Sequence, residues 1–232
     1  MVHQVARFSD AYTAWEGWNL TTFDFKRDCL NQVQKTLFSK NAQWSAIMGY
    51  HIEHATRLLG ETHHLVGPTG ETNELYTAGR GVTLIIQEDI QDGARKAVLS
   101  QLTCALVAGN SVIVCSDDNQ FSEMLESTFQ EASFSLNVVQ FVSHDAYQQL
   151  LDSDIRSIGY IGNQETERTL NRQLSKRPGA IVSLTSETDL EATPVAQDPN
   201  LSLRFITERT RTINITAVGG NATLLELGSE TH

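Results

Sequence analysis

Four histidines, His51, His54, His63 and His64, fall in one short stretch, and histidines gathered in this way are first to be tested as ligands of a zinc ion. Their spacing argues against it: His51 and His54 can share a helix face, but Glu53 points elsewhere and the H-E-x-x-H arrangement is absent. No metal is expected, and rim and loop positions account for these side chains. Cysteines supply nucleophilic or redox chemistry only where the thiolate is stabilised. Cys104 falls inside an apolar helical run, and Cys115 ends an apolar strand beside Asp117 and Asp118, whose charges disfavour a thiolate. Together with Cys29 these three are odd in number and widely spaced, and they read as reduced core residues. No G-x-S-x-G elbow, Walker loop or metal triad occurs, so no catalytic residue is assigned.

A nucleotide site needs a glycine turn for close phosphate approach and a group for the ribose hydroxyls. G-x-G-x-x-G is absent, and the run Gly159-Tyr160-Ile161-Gly162-Asn163 places one glycine at a strand end, where a tight strand-to-helix turn explains it equally well. If a cleft persists there, Cys115, Asp118, Gly162 and Asn163 border it. Near the end of the chain Arg204, Glu208, Arg209 and Arg211 alternate with other residues, which sets charges on one strand face, either solvated or docked on a partner.

The elements that would position these groups follow from periodicity. Around 99–118, LSQLTCALVAGNSVIVCSDD, the residues Ala94, Val98, Leu102, Ala105 and Leu106 recur at helical spacing, Gly109 suits a left-handed stop, and SVIVC is a strand too apolar to face water on either side. Strands are expected at 75–77, 82–87, 111–115, 136–141, 157–161 and 180–184, with helices near 93–108, 120–132, 145–151 and 166–175. That alternation requires crossovers and a largely parallel sheet. Upstream, Thr22 caps a helix marked by Leu30, Val33 and Leu37, and a second carries Trp44, Met48, Ile52, Ala55 and Leu59 on one face up to Gly60. Residues 1–20 read as an arm or short helix whose Trp15 and Trp18 must dock on something. The reading is an α/β fold, a Rossmann-like doubly wound sheet with an N-terminal helical segment (1–64), the sheet domain (65–190), and a loop and C-terminal β-flap (191–232) of two or three strands.

Composition narrows the partners. Seventeen basic against 28 acidic residues give a formal charge of −11, which disfavours nucleic acid and anionic membranes. No apolar run approaches the ~20 residues of a membrane span, residues 1–10 lack a secretory core, and a cytoplasmic setting is the expectation.

Several segments resemble one family. The stretch ALVAGNSVIV is similar to the aldehyde dehydrogenase passage in which an alanine-rich helix runs through A-G-N into a strand ending K-P-S-E, and SIGYIGN resembles that superfamily's F-T-G-S strand and turn. GPTGETN and ERTRTINITAVGGNATLL resemble the G-P-T-G-E-R-N segment and the E-R…N-T-A-A-x-G-G-N-A-S-L tail of long bacterial proline utilization A flavoenzymes, in their extra C-terminal domain. The departures are specific: Cys115 stands where active enzymes carry the ribose-binding lysine, Ser116 replaces proline, Asn163 replaces serine, and no room remains for a domain bearing the nucleophilic cysteine and general-base glutamate.

The resemblance implies a role in proline catabolism. The parent enzymes oxidise proline to pyrroline-5-carboxylate and then to glutamate with FAD and NAD, while the extra domain binds no cofactor, packs on the pyrroline-5-carboxylate dehydrogenase module, seals the tunnel carrying the intermediate and supports assembly. On that expectation Arg209, Arg211, Asn214, Gly219, Gly220 and Asn221 form the docking contact. The alternatives are an NAD-binding part of an active dehydrogenase and a free-standing oligomerisation module that uses the flap edge.

Overall fold

Three helices open the chain in a computed structural model that describes residues 2–67 and 71–214: α1 (Val2–Leu20), α2 (Phe23–Lys40) and α3 (Ala42–Leu59). Thr22 and Asn41 cap α2 and α3, their side chains accepting from the N–H groups of Phe25 (3.2 Å) and Trp44 (3.0 Å), donors that a helix start otherwise leaves open. Each turns one apolar face inward, Leu30, Val33 and Leu37 on α2 and Met48, Ile52, Ala55 and Leu59 on α3. The N-terminal arm is a full 19-residue helix. Docking explains it: Trp18 is 3% exposed and its Nε1–H donates to the Leu106 carbonyl at 2.9 Å.

Eight strands follow among the described residues: β1 (His63–Leu65), β2 (Glu71–Gly79), β3 (Val82–Gln87), β4 (Ser111–Cys115), β5 (Val139–Val142), β6 (Ser157–Ile161), β7 (Ser183–Glu187) and β8 (Ile206–Asn214). Helices α4 (Asp92–Val107), α5 (Asn119–Glu131), α6 (Tyr147–Leu150) and α7 (Gln164–Leu174) lie between them. Strands β3 to β7 form one parallel sheet in the order β5-β4-β3-β6-β7. The chain winds outward from β3 to β5 and then returns to the far side of β3, so the doubly wound sheet has its switch point between β3 and β6. Alternate strand residues feed two cores. Ile85, Val112 and Val114 pack with α2, α3 and α4, whereas Leu84, Ile86, Ile113 and Tyr160 pack on the other face with Leu150, Leu170 and Ala11 of α1.

The second sheet is antiparallel, β1-β2-β8, with β2 and β8 in register from Glu71 opposite Asn214 to Gly79 opposite Ile206. The strand expected at 75–77 therefore belongs here and not to the parallel sheet. Its β-branched and polar mixture suits a strand with one face in water, unlike VTLIIQ, which is buried throughout. Other boundaries shift for local reasons. β5 starts at Val139 because Ser133 and Asn137 take positive φ (53° and 60°) and hold the preceding residues in a turn. β7 starts at Ser183, beyond the left-handed Gly179. The helix expected over 145–151 is a 3-10 turn, His144–Ala146, followed by the single turn of α6. Leu201–Phe205, expected to begin the flap, is a 3-10 turn that buries Leu201 and Phe205.

The A-G-N run acquires a physical reason. Gly109 has φ +98°, and the fully buried Asn110 side chain makes four hydrogen bonds. Its Oδ1 accepts from the N–H groups of Arg80 (2.7 Å) and Gly81 (3.1 Å), and its Nδ2 donates to the carbonyls of Ala105 and Phe205 (both 2.9 Å). One amide thus ties α4, the entry to β3 and the turn before β8.

Candidate functional site

In a doubly wound sheet the ligand crevice lies outside the carboxyl ends of the strands at the switch point. Here Glu88, just past β3, occupies that place. Its Oε2 accepts from the Tyr160 hydroxyl (2.5 Å) and from Asn163 Nδ2 (2.9 Å). Burial first, and then the Glu88 carboxylate, push the Tyr160 hydroxyl well above its usual range. Asn163 is also the N-cap of α7, accepting from Glu165 (3.0 Å) and Thr166 (2.9 Å) N–H groups. A Cβ at Gly162 would stand 2.5 Å from the Tyr160 hydroxyl and 2.7 Å from Glu88 Oε2, so this glycine makes room for the chain's own cluster.

The segment after β7 covers the neighbouring position. Glu187, 1% exposed, accepts from the N–H groups of Val195 (2.8 Å) and Ala196 (2.9 Å), and burial raises its carboxyl above the ordinary range while those donors hold it down. A Cβ on Gly93 would fall 1.8 Å from the Leu190 carbonyl oxygen. The loop therefore lies on the first turn of α4, the helix N-terminus that would otherwise face a phosphate. His51 pins the same loop, its Nε2–H donating to the Ala196 carbonyl at 2.9 Å, and burial lowers the imidazole to about 4.

The four sequence-assigned cleft residues lie at this carboxyl edge but in structural roles. Asp118, 5% exposed, caps α5 through the Phe121 N–H (3.2 Å) and takes a two-point contact from Arg95, Nε at 2.6 Å and the terminal nitrogen at 3.0 Å. Cys115 is fully buried. Its thiol is pushed up by burial and, secondarily, by Asp145 rather than by the expected Asp117 and Asp118. Burial also raises the thiols of Cys104 and the half-buried Cys29, and all three cysteines are free.

Of the histidines, His51 is a core residue rather than a rim one; His54 stacks on Tyr50 with centroids 4.4 Å apart, and His63 and His64 lie on β1. No group of three metal-ligating side chains occurs among the described residues. On the flap, Arg209 and Arg211 share a strand face, with Arg211 bonded to Glu74 and lying 5.9 Å from the Tyr76 ring centroid. Glu208 falls on the opposite face, and Arg204 sits in the 3-10 turn, 3.6 Å from Asp198, so the expected single charged face holds only the two arginines. Asn214 is the last described residue of β8; Gly219, Gly220 and Asn221 lie outside the described residues.

No protein-family model matches the sequence. The chain is 28% identical over 169 residues to the bifunctional protein PutA of Salmonella typhimurium and 27% identical to that of Escherichia coli, covering 73% of this chain and 11% of each relative. A solved Bradyrhizobium japonicum proline utilization A variant superposes with a TM-score of 0.72 at 25% identity, over 80% of this chain and 22% of that one. The chain is thus similar, in sequence and in fold, to part of the proline utilization A proteins. The likeness to 1-pyrroline-5-carboxylate dehydrogenase from Thermus with bound NAD is one of fold, with a TM-score of 0.68 at 17% identity, over 81% of this chain and 42% of that one. The chain spans about a tenth of the length of the curated relatives it matches.

Sequence reasoning missed Glu88, Tyr160 and Glu187, the residues whose hydrogen bonds organise the crevice. A signal existed for one of them: Tyr160 is the one large polar-ended side chain in an otherwise small and aliphatic strand, SIGYI, and a buried phenol needs a partner. Glu88 and Glu187 stand immediately after or at the end of their strands, where only the topology shows that they meet the crevice.

Proposed function

We propose that this chain is a non-catalytic aldehyde-dehydrogenase-like domain of a cytoplasmic proline-catabolic enzyme. It packs on the pyrroline-5-carboxylate dehydrogenase module, closes the passage that channels the intermediate, and supports assembly. The observation that carries the reading is the filled crevice: Glu88, Tyr160 and Asn163 satisfy one another where a dinucleotide would lie, and the loop held by Glu187 covers the start of α4. NAD and FAD then belong to the parent enzyme and not to this chain. The flap makes the docking contact through Arg209, Arg211 and Asn214 together with Gly219, Gly220 and Asn221; Leu65, Val66 and Ile213 add exposed apolar surface beside them.

Calorimetric titration with NAD⁺ to millimolar ligand tests the crevice. No saturable heat is expected; binding tighter than ~100 μM, about −5.5 kcal/mol, would transfer the chain to the NAD-binding part of an active dehydrogenase. Replacing Gly219 and Gly220 with valine tests the flap. Loss of dehydrogenase assembly with an intact core is the expected result, and unchanged assembly and activity would remove the docking assignment.

A further inference from the structure

The opposite, amino edge of the parallel sheet holds a cavity of about 350 Å³ lined by Tyr12, Trp15, Arg80, Asp154, Arg156 and Arg209, among others. These residues come from α1, the entries to β3 and β6, and β8. Asp154 is the one acid on the wall, and it is paired with Arg156 at 2.9 Å. Arg80 and Arg209 have no carboxylate partner among the described residues. In a chain with 17 basic against 28 acidic residues, three guanidinium groups around one opening repel one another unless an anion joins them.

Two further observations point to a missing acceptor. The Nε–H of Arg80 and the Nε1–H of Trp15 are both shielded from solvent, and neither has a hydrogen-bond partner among the described residues. Buried donors are nearly always satisfied, and Trp18 on the same helix is, through Leu106. The wall is also pre-set. Asn110 fixes the Arg80 and Gly81 backbone, and Gly81, at φ +150°, lacks a Cβ that would strike Arg156 Cγ at 2.6 Å, so the Arg156 stem lies directly on the chain. A larger cavity, about 510 Å³ beneath the flap, shares Arg209, but its other cations are already engaged: Arg211 is bonded to Glu74, and the Lys26 ammonium donates to the Thr21 carbonyl at 2.5 Å and lies 3.4 Å from that of Asn19.

We propose that the amino-edge cavity is a binding site for a small oxyanion, a carboxylate or a phosphate, held by the guanidinium groups of Arg80, Arg156 and Arg209 beside the Trp15 ring. Planar guanidinium groups match both chemistries, and a site at the sheet's amino edge is separate from the crevice. The test is nuclear magnetic resonance of the whole chain at low ionic strength, titrated with inorganic phosphate and, separately, with glutarate. The indole N–H signals of Trp15, Trp18 and Trp44 serve as reporters, the last two as internal controls.

The Trp15 signal is expected to move saturably while the other two hold still, and Arg209→Gln, at an exposed position, weakens binding about tenfold. Response to phosphate alone, to glutarate alone or to both supports the site and identifies its chemistry. A Trp15 signal unmoved at tens of millimolar of either anion, or a shift that Arg209→Gln leaves unchanged, overturns it. Arg80→Gln supplies a second variant, and if it fails to fold the Arg209 substitution still decides.

Discussion

The two edges of the parallel sheet treat their polar groups in opposite ways. At the carboxyl edge, where this topology ordinarily receives a ligand, Glu88 meets Tyr160 and Asn163, Asp118 meets Arg95, Gln87 meets Ser116, and Glu187 is held by two backbone N–H groups, while His144 Nε2 has no partner among the described residues. At the amino edge Arg80, Trp15, Ser111 and Ser183 all keep a buried polar atom without a partner among the described residues. A fold sets where strands end, but the side chains decide what an end can hold. In this molecule the carboxyl edge pairs its polar groups within the chain, while the opposite edge retains unmet donors among the described residues.

The largest effect is expected at the amino edge. Asn110→Ala strands the N–H groups of Arg80 and Gly81 and the carbonyl of Phe205, while that of Ala105 keeps the backbone N–H of residue 110, and a loss of about 4 kcal/mol is expected by urea unfolding. Because it frees Arg80, it should also abolish the Trp15 response to anions; a loss below about 1 kcal/mol would show that water replaces the amide and that the amino edge is not pre-set.

A smaller loss, about 2 to 3 kcal/mol, is expected for Asp118→Ala at the carboxyl edge, since it removes a helix cap and leaves Arg95 without its carboxylate. Chemical denaturation measures it, and an effect limited to a few tenths would mean that this edge is packed rather than electrostatically locked.

The last effect is nil at neutral pH and grows only as the pH falls. His51 binds its proton near 4 in the folded chain against 6.5 unfolded, so between those values the unfolded state carries the extra proton. Stability is therefore whole above 6.5 and falls as pH drops towards 4, by up to about 3 kcal/mol from this residue. Glu187 works in the opposite sense, because its raised carboxyl takes up a proton sooner when folded, so the signature is the difference between wild type and His51→Gln, which should flatten the decline. Parallel pH profiles for the two proteins would show that the loop roofing α4 is not held by a neutral imidazole.

Much of the fold was legible because its signals are local. VTLIIQ and SVIVC are apolar on both faces, and both strands end where the sequence reading placed them. Thr22, Asn163 and Gly109 likewise act in the caps and turns their chemistry suits. What escaped was non-local: β2 lies next to β3 in sequence yet pairs with β8, more than a hundred residues on, and nothing in ETNELYTAG names that partner. The site divides in the same way. Gly162 and Asn163 were visible as a strand-to-helix turn, but their reason, accommodation of Glu88 and Tyr160, exists only once β3 and β6 stand side by side.

The first helix carries a kinetic consequence. Trp18 of α1 bonds to Leu106, 88 residues away, and the Arg7 carbonyl accepts from Gln140, 133 residues away. Contacts this distant in sequence form only after long loops close, which makes them slow. Within this chain α1 is thus made before the elements on which it packs, and its apolar face is fully covered only once β3, β4 and β5 have been made.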